Sequence, residues 1–289
     1  IGIGKLKSRQ DTKFVSVNPV RTGYSAVADE WIGVRPGTDA LFVGALIQEL
    51  LRIDAVDWSY LARYTNAAWL VRDEKGSADD GMFVRDKNGD PQRLCTDGQI
   101  INAMNSRTDF QFAGETTLAN GVKARPAFEH IAEEFFNTRY SPENAAKKTG
   151  IPADTIRRIA HEIADVAFRQ EITLDIPWTD WRGVNHDKMT GRPVAMHAMR
   201  GISAHSNGFD TCRMIHILQM LIGSIDVPGG FRYKPPYPKA VPPPNKPASA
   251  VTIASTPLNT APLGFPTSPI DLNVDAGGNP MRLDKAFSW

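Results

Sequence analysis

Residues 31–51 read WIGVRPGTDALFVGALIQELL, which is a short apolar stretch, a polar loop and a long apolar run. This pattern predicts a strand over 31–34 and a helix over 40–51, and a helix that is apolar nearly all round is typically buried on two sides. Thr38 or Asp39 is the expected N-cap of the helix.

A second strand is predicted upstream, over residues 13–17 (KFVSV). It ends at Asn18-Pro19, because proline lacks a donor for the strand ladder and holds the preceding residue extended. Strand, loop, strand and helix in this order indicate a nucleotide-type layer. The predicted fold class is therefore α/β, with a Rossmann-like nucleotide-binding domain first.

Residues 73–124 have a different character. Gly, Asp, Asn and Lys recur there, apolar periodicity is poor, and Asn88-Gly89-Asp90 is typical of a hairpin turn. We interpret this range as a surface insertion.

Two helices are predicted after the insertion. Ser141-Pro142 is a typical helix start, with a capping serine and proline in the first helical position, and Gly150 ends that helix. The second helix is predicted from apolar residues that recur at helical spacing, at positions 156, 159, 160, 163 and 164.

The last third of the chain begins as a second α/β region. Strands are predicted over 172–176 and 194–196, and an apolar helix is predicted between a capping Asn207 and a terminating Gly223. Thirteen of the 21 prolines follow residue 227, which predicts an irregular, proline-rich C-terminal stretch.

Composition excludes several classes of protein. The 289 residues carry 33 basic and 32 acidic side chains, so the net charge of +1 gives no general attraction for nucleic acid, and none is expected as a partner. The two cysteines, Cys95 and Cys212, lack metal-site spacing and exclude a disulfide scaffold. The histidines after residue 185 are not spaced like zinc ligands, so no protein-held metal is expected.

Polar loops follow both predicted strands of the first layer. Asn18, Arg21 and Thr22 follow one strand, and Gly37 and Asp39 follow the next. Loops at the carboxyl ends of parallel strands are where nucleotides bind, and a carboxylate there can accept from the N1–H and amine of guanine. The alternatives are a plain strand-end turn for the first loop and a helix cap for the second.

The loop from Trp178 to His186 is rich in groups that bind ligands. It offers an indole surface at Trp178 for a flat cofactor and a guanidinium at Arg182 for an oxyanion. The alternative is that the tryptophans cover a core edge and the charges are solvated.

Five stretches, in this order, carry a resemblance to a known family. They are VNPVRT (17–22), ADEWIGVRPGTDALFVGALIQELL (28–51), YTNAAWLV (64–71), YSPENAAKKTGIPADTIRRIAHEIA (140–164) and HSNGFDTCRMIHILQMLIGSIDVPGGF (205–231). They resemble the central part of the catalytic subunit of molybdopterin oxidoreductases, the dimethyl sulfoxide reductase superfamily. RPVAMHAMRGISAHSNGF (192–209) and KAFSW (285–289) resemble the sulfite dehydrogenase, thiosulfate reductase and polysulfide reductase branch.

The resemblance implies roles for named residues. The positions expected to contact the guanosine part of one molybdopterin guanine dinucleotide are Val17, Asn18, Pro19, Arg21, Thr22, Gly37 and Asp39. Asn18 stands where the family usually has Asp, which weakens the expected ribose contact. Trp178 is expected beside the cofactor as a further binding residue, and Arg182 is expected to be catalytic, at the substrate approach.

The resemblance also implies what the intact enzyme contains. It would hold molybdenum between two molybdopterin guanine dinucleotides and a [4Fe–4S] centre in an N-terminal segment without a match here. Its partners would be a small inorganic substrate and two further subunits, one for iron–sulfur electron transfer and one that serves as a membrane anchor. The chain is expected to be an inactive fragment with two parts, 1–170 and 171–289, from a cytoplasmic enzyme; membrane association through partners and a periplasmic location are alternatives. The rival hypothesis is a non-catalytic α/β nucleotide-binding module.

Overall fold

The computed structural model describes residues 12–105, 107, 109–180, 183–198 and 200–231, all within one compact unit. Helices and sheets alternate, so the predicted α/β class is confirmed. The strands are β1 (Val15–Val17), β2 (Glu30–Ile32), β3 (Leu70–Asp73), β4 (Gln92–Leu94), β5 (Ile100–Asn102), β6 (Thr116–Thr117), β7 (Lys123–Pro126), β8 (Ile172–Leu174), β9 (Trp178–Thr179), β10 (Asn185–His186) and β11 (Met189–Gly191). The α-helices are α1 (Asp39–Arg52), α2 (Trp58–Tyr64), α3 (Ala127–Phe135), α4 (Pro142–Thr149), α5 (Ala153–Arg169), α6 (Arg200–Ser203) and α7 (Gly208–Leu221).

β1 and β2 pair in parallel, and α1 lies at the centre of the main core. The helices α3, α4, α5 and α7 all contact α1. This explains why α1 is apolar nearly all round, since every residue from Phe42 to Leu50 except Gln48 is buried. Both strands and the central helix of this layer are confirmed.

The start of α1 differs from the expectation. Thr38 is the N-cap by position, but its hydroxyl donates to the Arg35 carbonyl (2.7 Å) rather than accepting from the helix. Asp39 is the first helical residue and also accepts no hydrogen bond from the helix backbone among the described residues. Side-chain capping here was wrong, because the turn at Pro36-Gly37 brings the hydroxyl onto a carbonyl of its own loop.

The predicted insertion is a small β subdomain with apolar clusters of its own. β3, β7 and β6 form an antiparallel sheet, and β4 and β5 form a hairpin. Fully buried Arg93 donates to the Arg107 carbonyl (3.0 Å), and its guanidinium lies 3.5 Å from the centre of the Phe110 ring. The turn at Asn88-Gly89 is confirmed, with Asp86 accepting from the Asn88 amide (2.8 Å).

The two helices after the insertion are confirmed. The Ser141 hydroxyl accepts from the amide of Asn144 (3.3 Å) at the start of α4, and Gly150 ends that helix with φ of 78°. In α5 the predicted apolar face contacts the core, with Ile156 and Ala160 fully buried.

The strand predicted over 172–176 is confirmed as β8, which pairs antiparallel with β11. The strand predicted over 194–196 is wrong, because the Met196 amide donates to the side chain of Gln219 in α7 (3.1 Å) and not to a neighbouring strand. The helix α7 is confirmed, but the side chain of Asn207 does not cap it. Instead the Asn207 carbonyl accepts from both the amide and the hydroxyl of Thr211.

The proline-rich stretch after residue 231 lies outside the described residues, and the division at residue 170 stays a prediction. None of the helices in the described part of the chain is long and apolar enough to cross a membrane.

Candidate functional site

The loops after β1 and β2 lie side by side. Val17 pairs with Ile32, the last residue of β2, so both strands end at the same level. The Asn18 amide donates to the Ile32 carbonyl (3.1 Å), and the indole N–H of Trp31 donates to the Asn18 carbonyl (2.9 Å). The two loops that the sequence singled out therefore share one edge of the parallel pair.

The loop after β1 is held from below and open above. Buried Ser25 lies under it, with its hydroxyl 2.7 Å from that of Ser16 in β1. The Asn18 side-chain oxygen accepts from the Val20 amide (3.2 Å), so one acceptor of Asn18 is used inside the loop itself. Pro19, Arg21 and Thr22 are exposed, and Val17 is partly exposed.

The loop after β2 presents backbone and a carboxylate. Gly37 is exposed and adopts φ of +78°, a conformation that residues with a side chain rarely adopt. The carboxylate of Asp39 makes no hydrogen bond or ion pair with the described residues, so its acceptor oxygens are available to a ligand. His205, from the turn before α7, lies next to Gly37.

A charge cluster fastens β2 to α5 behind these loops. Arg158 and Lys13 both form ion pairs with Glu30 and with Glu162. The hydrogen bonds from Arg158 hold the pKa of Glu30 below its usual range. Glu30 thus stabilises the layer above its ordinary pKa, and that stabilisation is lost as the pH falls through the lowered value.

Trp178 lies in a separate hairpin formed by β9 and β10. Its ring stacks on His186 with centroids 4.5 Å apart, and its indole N–H donates to the Lys188 carbonyl (2.9 Å). The buried carboxylate of Asp180 lies 3.1 Å from His186 Nε2 and accepts from the Val184 amide. One face of Trp178 is therefore already covered by His186. Arg182 lies outside the described residues.

Sequence reasoning missed two residues at the β1–β2 loops, Trp31 and His205. Trp31 had a signal, because strand alternation places it opposite the buried Ile32, on the side away from the core. His205 had none, since it comes close to Gly37 only through the packing of α7 on α1. The described residues include no group of three or more side chains arranged to hold a metal ion.

Comparison with known proteins gives the family. The sulfite dehydrogenase of Allochromatium vinosum is 47% identical, in its A chain, over 293 residues, which cover 97% of this chain and 30% of that protein. The chain belongs to the molybdopterin oxidoreductase superfamily. No family model matches it.

More distant relatives agree with this molybdopterin oxidoreductase membership. The formate dehydrogenase major subunit of Haemophilus influenzae is 25% identical over 77% of this chain and 19% of that protein. Dimethyl sulfoxide reductase DmsA of the same organism is 26% identical over 79% of this chain and 20% of that protein. The chain thus spans less than a third of the length of each of these relatives.

The β1–β2 edge is compatible with the guanosine group that molybdopterin oxidoreductases bind. Guanine presents two adjacent donors, its N1–H and amine, and the unpaired carboxylate of Asp39 has two acceptor oxygens. At Gly37 the backbone is bare and exposed, which permits a flat ring to approach it closely. The residues present therefore fit the group by their chemistry.

Proposed function

We propose that these residues belong to a molybdenum-dependent oxidoreductase that acts on a sulfur oxyanion, with sulfite as the first substrate to test. The observation that carries this proposal is the 47% identity to the Allochromatium vinosum sulfite dehydrogenase along 97% of the chain. A non-catalytic nucleotide-binding module would need only the two loops after β1 and β2. Identity that extends through α7 to the end of the chain favours the enzyme.

In this proposal the β1–β2 edge holds the guanosine part of one molybdopterin guanine dinucleotide. Asp39 accepts from the guanine N1–H and amine, while the ring lies against the backbone of Gly37. Arg21 and Thr22, both exposed, bind ribose or diphosphate oxygens. The remaining proposed contacts are backbone and ring surfaces of Val17, Asn18 and Pro19.

Two electrons and an oxygen atom would be exchanged between the substrate and the bound molybdenum cofactor, which supplies the redox chemistry. The residues of this chain bind and orient. Trp178 would lie against a pterin with the ring face or edge that His186 leaves open. Arg182 would replace the hydration of the incoming oxyanion with fixed positive charge.

The proposed full-length enzyme holds two molybdopterin guanine dinucleotides and a [4Fe–4S] centre from an N-terminal segment. Its electrons pass to an iron–sulfur subunit, while an anchor subunit ties it to the membrane on the cytoplasmic side. A polypeptide limited to these 289 residues would be inactive.

Metal and pterin analysis of the full-length protein, purified with its native partners, tests this proposal. Molybdenum and pterin in a ratio of one to two are expected. Protein that carries neither, although it is folded and expressed under molybdate-sufficient conditions, would exclude the enzyme and leave the binding module.

Nucleotide selectivity is a second expectation. The 289-residue chain should bind GMP or GDP weakly but more tightly than AMP, because Asp39 matches the donors of guanine and not the N1 acceptor of adenine. Calorimetry with the three nucleotides measures this. Equal affinity for GMP and AMP would contradict the proposed role of Asp39.

Arg182→Ala tests the substrate approach. Loss of a hydrogen bond to a charged oxyanion should lower kcat/KM by the equivalent of about 1.5–3 kcal/mol, with cofactor content intact. Steady-state assays of the full-length variant with sulfite, thiosulfate and polysulfide measure it. Unchanged kcat/KM on the substrate that the wild type uses would instead make Arg182 a surface residue that covers a tryptophan.

A further inference from the structure

His205 lies at the edge of the β1–β2 site although it is 168 residues away from Gly37 in sequence. Its Nδ1 is 4.0 Å from the position that a Cβ on Gly37 would occupy. Both residues are exposed, so the imidazole and the bare glycine backbone border the same solvent-accessible space. Any flat group that lies against Gly37 would meet the imidazole at its side.

The position of His205 follows from rigid elements. Helix α7 packs on α1, and the approach is close at Gly44, where a Cβ would lie 2.9 Å from the Met214 methyl carbon. At the start of α7 the Gly208 amide donates to the His205 carbonyl (2.8 Å), which closes the turn. A side chain at Gly208 would collide with the Ser203 carbonyl. The turn is therefore fixed by backbone contacts that do not involve the imidazole.

We infer that His205 is a specificity-determining residue of the guanosine site, an inference that rests on the proposed function. Asp39 accepts from the N1–H and amine, and the guanine O6 is the neighbouring acceptor on the same ring edge. An imidazole N–H beside Gly37 is placed to donate to O6. Adenine has an amine at that position, so the donor of His205 would face another donor and remain unpaired.

The test measures GMP and AMP binding by calorimetry to cofactor-free full-length protein. His205→Ala should weaken GMP binding about tenfold, the equivalent of one hydrogen bond, and leave AMP binding unchanged. His205→Gln keeps an N–H donor and should recover part of the preference for GMP. The matched control is His161→Ala, an exposed histidine on α5 that lies near Glu49, about 15 Å along α1 from Asp39.

Each outcome decides between distinct conclusions. A wild-type protein that binds GMP no better than AMP would contradict the proposed function itself. A wild type that prefers GMP, with His205→Ala equally selective, would overturn only the inference about His205. Equal weakening of GMP and AMP in His205→Ala would also overturn it, because that pattern indicates a structural role. Thermal melting of each variant identifies any loss of folding, and His205→Gln then carries the test.

Discussion

Asp39→Ala is expected to lower the cofactor occupancy of the full-length enzyme while leaving the fold intact. The Asp39 carboxylate has no hydrogen-bond partner among the described residues, so its removal breaks little within the chain. In the holoenzyme its loss leaves two guanine donors unpaired, which costs about 2–4 kcal/mol of binding free energy. GMP released by acid and molybdenum per protein are the measurements.

Two variants separate ligand binding from a favourable interaction with the helix dipole. Asp154→Ala removes the matched acidic residue from the first turn of α5, where the side chain is 99% exposed, and should leave occupancy unchanged. Asp39→Asn keeps the size but loses the charge and one acceptor, so its occupancy should fall with that of Asp39→Ala. Full molybdenum content in Asp39→Ala, together with a drop in melting temperature like that of Asp154→Ala, would reduce Asp39 to a helix-end residue.

The nucleotide-type layer was predictable because local pattern and tertiary packing agree there. The apolar run of α1 is buried on all sides by surrounding helices, and Asn18-Pro19 ends β1 as proline chemistry requires. The start of α4 was equally legible, since a capping serine and a proline in the first helical position act through their immediate neighbours. The edge that holds the candidate site therefore followed from the sequence.

The errors arose where a distant residue takes over a local group. Thr38 turned to a loop carbonyl, and the Met196 amide was taken by Gln219, 23 residues further on. The insertion showed poor periodicity because its strands are only two to four residues long. Its stability comes partly from buried Arg93, a residue type that hydropathy patterns assign to the surface.

The candidate site divides in the same way. Gly37 and Asp39 were predictable because a strand, a turn and a helix place them locally. His205 was not, because helix packing alone brings it near Gly37. The roles of Trp178 and Arg182 stay predictions, and stacking on His186 is the one feature of that hairpin that limits how Trp178 could meet a cofactor.

Asp57→Ala should cause the largest loss of stability, because Asp57 joins three parts of the molecule. One carboxylate oxygen accepts from the Tyr60 amide (2.9 Å) and caps α2, and the other accepts from Arg192 (2.9 Å) after β11. A Cβ on Gly223, just after α7, would lie 2.7 Å from that same oxygen. Asp57 and Arg192 are only 14% and 16% exposed, so the substitution leaves a largely buried cation without this partner.

The expected cost is about 3–5 kcal/mol of unfolding free energy, since breaking a buried pair removes the cap and strands the remaining charge. In a protein of this size the melting temperature should fall by about 10 °C. Asp57→Asn, which keeps an acceptor for the Tyr60 amide, should lose less. Asp175→Ala is the control, because its ion pair with Lys188 is 86% and 64% exposed and should change stability by less than about 0.5 kcal/mol. Additive losses in a double-mutant cycle with Arg192→Ala would show that the two side chains do not stabilise each other. A strong coupling would instead mean that residues on either side of position 170 unfold as one cooperative unit.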